Sequence, residues 1–306
     1  MQRSWRAGSD VVATVGVIGL GNMGSALASN LLGAGFGLVA YDAAGPGREP
    51  DGAVAAGDVA EVARLADVVV FSLPDGRASE QVARQIVDAP DRRATHVVDT
   101  STIGVDAAAS VSGVLGAIGV SYLDAPVSGG VAGARARTLV VMFAGDDQAC
   151  AHVEPVLAGL SDRRHRVGGR PGMAQALKLA NNFLSATALA ATSEAVSFGL
   201  SVGLDMATML QVLDAGSGQS SATSDKFPKH VLTGRYAAGF ANSLMDKDLR
   251  LYLGEVEGRG GPAVVGRTTV ALWDQFSAAE PGADFTGIFR FIDRGRGRPT
   301  AEDAGS

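Results

Sequence analysis

Lys178 stands in the longest apolar stretch of the chain, Ala176 to Leu200, with Gln175 three residues before it and Asn182 four residues after it. At helical spacing these side chains share one face. A lysine on such a face either snorkels to solvent or points into a cleft. The adjacent amides Asn181 and Asn182 favour the cleft, because buried amides need partners. An ammonium held there can give a proton to the charge that builds on a carbonyl oxygen as hydride reaches its carbon.

A source of hydride is suggested by Val17-Ile18-Gly19-Leu20-Gly21-Asn22-Met23-Gly24. This G-x-G-x-x-G follows a predicted strand and opens a predicted helix. In that setting Gly19 permits a tight turn, Gly21 lets the backbone approach a pyrophosphate, and Gly24 lets the helix pack on the strand. Leu20, Asn22 and Met23 complete the loop, and the helix start offers N–H groups to phosphates. A chance glycine cluster is the competing explanation in a chain with 41 glycines, but strand, helix and a downstream acid all agree.

That acid is Asp42, at the end of Leu38-Val39-Ala40-Tyr41-Asp42. A carboxylate there accepts both ribose hydroxyls and repels a 2′-phosphate, so NAD is expected in preference to NADP. A turn-capping role is the plainer alternative, and Arg48 is the nearest cation in sequence. Other strand ends should line the same crevice. Leu73 and Pro74 are placed to pack on the cofactor, and Ser101 or Thr102 to reach its nicotinamide ribose.

Ser128-Gly129-Gly130 sets a hydroxyl before two residues without Cβ. Such a loop can turn backbone N–H groups toward a carboxylate, although alone it also reads as an ordinary turn. Lys247, within Leu244-Met245-Asp246-Lys247-Asp248-Leu249, fits a site lysine and a solvated helix face of alternating charge equally well.

The elements that must position these groups fall into two textures. From Val11 to about Arg166, short Val- and Ile-rich runs (Thr14–Gly19, Gly37–Asp42, Asp67–Ser72, His96–Thr100, Val120–Asp124) alternate with helical stretches. This pattern implies a doubly wound, mainly parallel Rossmann sheet with helices on both faces. After Gly168 strand signals nearly vanish. Helical runs then cover Pro171–Val202, Asp205–Ala215, Ala241–Glu257, Ala263–Ala279 and Asp284–Asp293. The expected organisation is a flexible leader (1–13), a dinucleotide-binding Rossmann domain (14–167), an all-α domain for substrate and dimerisation (168–293) and a flexible tail (294–306).

The net charge of -6 argues against nucleic-acid or anionic-membrane partners, which call for a basic face. One cysteine, Cys150, excludes an intrachain disulfide and fits a cytoplasmic setting. The four scattered histidines show no metal-ligand spacing, so no metal is expected. The Ala176–Leu200 run contains Lys178, Asn181, Asn182 and Glu194, and reads as a buried helix instead of a membrane span.

Four motifs occur in order: the Gly19 loop, Asp124-Ala125-Pro126-Val127-Ser128-Gly129-Gly130, Gly169 to Lys178 with Asn181-Asn182, and Lys247-Asp248-Leu249. Together they resemble the β-hydroxyacid dehydrogenase family, which includes 3-hydroxyisobutyrate dehydrogenase, tartronate semialdehyde reductase and, more distantly, 6-phosphogluconate dehydrogenase. The resemblance runs from about Val15 to Asp293. It implies hydride transfer between a small 3-hydroxy acid and its semialdehyde, with a small carboxylate as substrate. It assigns the acid/base role to Lys178 and its support, or that of the substrate, to Asn182. It gives Ser128, Gly129 and Gly130 the substrate carboxylate, and brings Lys247 to both cofactor and substrate. An imine reductase of the same fold and a non-catalytic NAD-sensing protein are the alternatives. The first typically replaces the lysine, and the second is expected to lose the Lys/Asn pair or the carboxylate loop.

Two departures bear on the substrate. Arg137 and Ala174 stand where the family usually has glycine, and an arginine in a turn needing positive φ implies strain beside the carboxylate loop. Gly216 to Ser221 lacks the bulky aromatic of hydroxyisobutyrate enzymes, which suggests a roomier or more polar substrate. The long helix is apolar around most of its surface, so a homodimer or homotetramer built on the C-terminal helices is expected.

Overall fold

Short strands, most of them rich in Val and Ile, form a nine-stranded sheet. The computed structural model describes residues 14–294. The expected leader, and the tail beyond Arg294, lie outside the described residues. In chain order the elements are β1 (Thr14–Ile18), α1 (Asn22–Gly33), β2 (Gly37–Tyr41), β3 (Val54–Ala55), α2 (Val59–Leu65), β4 (Val68–Phe71), α3 (Gly76–Val87), β5 (His96–Asp99), α4 (Val105–Gly116), β6 (Ser121–Asp124), β7 (Val127–Ser128), α5 (Gly130–Arg135), β8 (Val140–Ala144), α6 (Asp147–Leu160), β9 (Arg163–Gly168), α7 (Met173–Ser201), α8 (Met206–Ala215), α9 (Asn242–Gly258), α10 (Val264–Ala279) and α11 (Ile288–Arg294). A π-helix, Ala222–Val231, precedes α9, and a 3-10 turn, Phe285–Gly287, leads into α11. The chain divides into two compact units, Met1–Lys178 and Leu179–Ser306. The division falls inside α7, while the change of sequence texture comes earlier, near residue 167.

In the first unit the strands lie in the order β3-β2-β1-β4-β5-β6-β8-β7, with β9 on β8. β1 to β6 pair in parallel; β8 runs antiparallel to β6 and β7. The register sets Tyr41, Ile18, Phe71, Asp99 and Asp124 in one row, each the last residue of its strand. Everything that follows these residues in sequence therefore emerges along a single edge.

Alternate strand residues feed two buried layers. Val15, Val17, Val68 and Val70 pack with Leu27 and Leu31 of α1 and Val153 and Leu157 of α6. Ile18, Val69, Phe71 and Val97 pack with Val62 of α2, Ile86 of α3 and Leu115 of α4. Helices on both faces explain why these strands show no polar alternation. Each fully buried Val, Leu or Ile contributes about 1.5–3 kcal/mol.

The second unit has its own core, centred on Trp273, Phe276, Phe227 and Phe285, with Ala186, Leu189 and Val196 of α7 and Leu249 of α9. The Trp273 indole N–H donates to the Ala186 carbonyl at 3.4 Å. Among the described residues α7 alone is long and apolar enough by composition to cross a membrane. Here its Ala186, Leu189, Ala190 and Val196 belong to this aromatic core. The π-helix has no counterpart in the helical periodicity, since Pro228 inside it lacks an N–H and its i to i+5 winding leaves no 3.6-residue stripe.

Candidate active site

Gly19 and Gly24 are glycines for steric reasons. Gly19 has φ 93, and a Cβ there would overlap the Ser72 carbonyl oxygen. A Cβ on Gly24 would overlap the Gly19 carbonyl oxygen. Gly21 differs: a Cβ there would meet nothing within 4 Å. The backbone at Gly21 thus faces open space. Gly21 is also the N-cap of α1, which has no side-chain cap and no acid in its first turn. By contrast α2 and α3 are capped by Asp58 and Asp75. Exposed Gly21 and Asn22, with half-buried Met23 and buried Leu20, so leave a cradle with available N–H groups, as a dinucleotide pyrophosphate needs. The residues fit the cofactor that the motif implies.

Asp42 follows the end of β2. Its Oδ2 accepts the Leu20 N–H at 2.6 Å and its Oδ1 the Ala44 N–H at 2.8 Å. The turn-capping role and the cofactor role are thus compatible: the carboxylate ties its strand end to the glycine loop and retains lone pairs for ribose hydroxyls. Arg48 and Arg135 line, with Gly21, Asn22 and Ser25, a cavity of about 360 Å³ beside that loop.

Farther along the same edge, Leu73 is half-buried and Pro74 exposed. The Leu73 N–H donates to Ser101 Oγ at 2.8 Å, and the Ser101 N–H to Asp99 Oδ1 at 2.9 Å. Ser101 is buried and its oxygen serves the Leu73 backbone; Thr102 is the more exposed of the two residues expected near the nicotinamide ribose. Asp99 and Asp124 are fully buried neighbours. Burial pushes the Asp99 carboxyl up, against the pull of its Ser101 hydrogen bonds. Burial likewise pushes Asp124 up to about 6, opposed by the N–H groups of Gln175 and Gly172. Tyr122, whose hydroxyl donates to Asp99 Oδ2 at 3.2 Å, is raised by burial and then by both carboxylates.

Asp124 fixes the start of α7 by accepting the Gln175 N–H on Oδ2 at 2.8 Å. The Gln175 side chain is fully buried. Its Oε1 accepts the N–H groups of Ile103 (2.9 Å) and Gly104 (3.3 Å), and its Nε2 donates to the Ser101 carbonyl (2.9 Å). Lys178 follows three residues later and is 7% exposed. Sequence spacing puts Gln175 on the lysine face but leaves its partners invisible, since they lie more than 70 residues away.

Ser128 is half-buried, and Gly129 and Gly130 have φ 130 and φ 67. Positive φ at both positions favours glycine, most strongly at Gly129. Arg137 does adopt the strained conformation, with φ 57. Its guanidinium donates to the carbonyls of Gly159 (2.8 Å), Ala158 (3.0 Å) and Asn30 (3.4 Å). Its charge thus serves the carboxyl end of α6, where cations are favoured. Ala174, the other departure, is buried beside Met142 and Ala144.

In the second unit Asn182 is buried on the next turn of α7, and its Nδ2 donates to Asp248 Oδ2 at 2.6 Å. Asn181 Nδ2 donates to Asn182 Oδ1 at 3.1 Å. Lys247 Nζ pairs with Asp248 Oδ1 at 2.9 Å. Asp248, 3% exposed, therefore joins Asn182 to Lys247. The role of Asp248 is not legible in the sequence, where only its place between Lys247 and Leu249 marks it; its burial and its bond to Asn182 are tertiary.

Residues 14–169 match the family described as the NAD binding domain of 6-phosphogluconate dehydrogenase. Residues 172–292 match the NAD-binding region of NADP-dependent 3-hydroxyisobutyrate dehydrogenase. A probable 3-hydroxyisobutyrate dehydrogenase of Mycobacterium tuberculosis is 32% identical, over 92% of this chain and 98% of its own. A 2-(hydroxymethyl)glutarate dehydrogenase of Eubacterium barkeri is 34% identical, over 78% and 81%. The solved structure of a Mycobacterium tuberculosis 3-hydroxyisobutyrate dehydrogenase with L-serine superposes with a TM-score of 0.86 at 30% identity, covering 92% of this chain and 99% of that one. Fold and site define an NAD(P)-dependent hydroxyacid dehydrogenase with a Rossmann domain. The chain belongs to the β-hydroxyacid dehydrogenase family, alongside the 3-hydroxyisobutyrate dehydrogenases.

Proposed function

We propose that the protein interconverts a small 3-hydroxy acid and its semialdehyde, with Lys178 as general acid/base. The observation that carries this is a buried lysine on α7, whose first turn is hydrogen-bonded to the ends of β5 and β6. NAD held by the Gly19–Gly24 loop and Asp42 would supply the hydride acceptor for the hydroxyl-bearing carbon. Lys178 takes the hydroxyl proton in oxidation and returns it to the carbonyl oxygen in reduction. Asn182, one turn on and held by Asp248, supports the amine or the substrate oxygen. Ser128 and the N–H groups at Gly129 and Gly130 hold the substrate carboxylate. Gly19 to Gly24, Asp42, Leu73, Pro74, Ser101 and Thr102 hold the cofactor, with Lys247 reaching both ligands. NAD is preferred to NADP, because a 2′-phosphate would lie against the Asp42 carboxylate.

The protein works in the cytoplasm as a homodimer or homotetramer. Supporting assembly are Leu184 (65% exposed), Phe198 (70%) and Val202 (64%), with Val264 (82%) on α10. Burying these exposed apolar side chains against a second copy would favour assembly. A monomeric mass by light scattering at micromolar concentration would overturn that.

The test of function is a hydride-transfer assay with NAD and NADP over 3-hydroxyisobutyrate, L-serine, glycerate and 2-(hydroxymethyl)glutarate. Lys178→Ala should lower kcat by roughly two to four orders of magnitude on the best substrate, with NAD binding by fluorescence nearly unchanged. Near-normal turnover in folded Lys178→Ala would sink the acid/base assignment, and a preference for NADP would sink the reading of Asp42.

A further inference from the structure

The first turn of α7 is held from two strand ends at once. Asp124 holds it from β6 through the Gln175 N–H. The Gln175 side chain reaches to the loop after β5 and makes three hydrogen bonds there, to Ser101, Ile103 and Gly104. Ser101 in turn holds the Leu73 N–H from the loop after β4. Three consecutive strand ends and the start of α7 are thereby laced into one hydrogen-bonded piece.

We propose that Gln175 is a positioning residue for the hydride-transfer reaction: its amide locks the turn of α7 that leads to Lys178 onto the Ser101–Gly104 loop, and so fixes the acid/base amine relative to the cofactor-lining strand ends. The proposal rests on the reading of Lys178 given above. Lys178 lies three residues on, about 4.5 Å along the helix axis, and on the same face. Its amine ends a flexible four-carbon stem, so the helix beneath it must supply the precision. Asp124 accepts the Gln175 and Gly172 N–H groups, but both bonds run to one carboxylate at one strand end and leave the turn free to pivot about it. An in-plane amide bonded to a second strand end removes the pivot. If filling space were the only need, an apolar side chain of similar volume would serve without an amide to satisfy.

The experiment compares Gln175→Met, which keeps the volume and loses all three side-chain bonds, with wild type, Lys178→Ala and the double variant. Gln175→Met should lower kcat about tenfold to a hundredfold, the range expected when a reacting group shifts by an ångström or less. KM for the hydroxy acid and the NAD dissociation constant should stay within about twofold, since neither ligand loses a contact. In the Lys178→Ala background, Gln175→Met should change the residual rate by less than about twofold, because the group it positions is already gone. Wild-type kcat in folded Gln175→Met overturns the proposal. So does a loss that adds in full to that of Lys178→Ala, which marks a general structural role. If Gln175→Met does not fold, Gln175→Glu decides: it keeps the two accepted bonds and gives up the donated one. A lowered kcat with retained NAD affinity then supports the proposal, and an unchanged kcat overturns it. Near-normal turnover in Lys178→Ala alone overturns the acid/base reading itself, whatever the Gln175 variants do.

Discussion

The Gly19–Gly24 loop and the Ser128–Gly130 loop both depend on glycine, for different reasons. At Gly24 the reason is space, because the helix backbone lies against the Gly19 carbonyl. At Gly21 a Cβ would meet nothing within 4 Å among the described residues, so under the proposed function the requirement comes from the ligand. At Gly129 the backbone torsion itself demands glycine, with φ 130, and at Gly130 φ 67 favours it. One motif letter therefore stands for packing, for ligand approach and for conformation. Substitution should separate the three.

The largest effect should come from Gly24→Ala. Its methyl group must displace α1 or the β1 turn, and overpacking of this kind costs about 3 kcal/mol. Thermal unfolding should fall accordingly, with NAD binding lost in titration. Gly21→Ala is the control: its unfolding should stay within about 0.5 kcal/mol of wild type, while NAD affinity drops about tenfold or more. Equal stability losses in the two variants would erase the distinction between packing and ligand approach.

Gly129→Ala should come next, at about 1–2 kcal/mol, the cost of forcing a side chain into a glycine-only region. Here KM for the hydroxy acid should rise while NAD binding holds, the reverse of Gly21→Ala. A rise in the NAD dissociation constant instead would show that this loop belongs to the cofactor site.

Arg137 should show the smallest effect. It tolerates φ 57 while its guanidinium caps α6. Arg137→Ala keeps the strained torsion and loses the cap, for a loss of about 1 kcal/mol. Arg137→Gly loses the cap but relieves the torsion, and should melt above Arg137→Ala by a fraction of that. The reverse order would mean that the unfolded-chain entropy of glycine outweighs the torsional relief at this turn.

Much of this was legible in the sequence, because the signals are local. The Gly19 motif, the strand ends at Asp42 and Asp99, and the shared face of Gln175, Lys178 and Asn182 all follow from spacing within a few residues. What escaped depends on distant partners or on atypical composition. β9, Arg163–Gly168, carries three arginines and a histidine and, among the described residues, pairs only with β8, so it reads as a charged loop. The Asn182–Asp248 bond joins residues 66 apart. Arg137 reads as strain alone, because the carbonyls that compensate it belong to α6 and α1.

The adjacent buried carboxyls at the ends of β5 and β6 give the fold an unusual proton balance. Burial raises Asp124 from 3.8 to about 6 and moves Asp99 in the same direction, so each binds its proton more tightly folded than unfolded. The penalty for burying Asp124 as an anion is absent below 3.8 and complete above about 6. Across that window the folded state takes up protons, and its stability from this site rises as the pH falls. A salt-bridged carboxylate contributes with the opposite sign. The melting temperature of this protein should therefore decline less between pH 7 and pH 5 than that of Asp124→Asn, which carries no titrating group at that position. The carboxyl that anchors the start of α7 is thus also a proton sink, filled as the surroundings acidify.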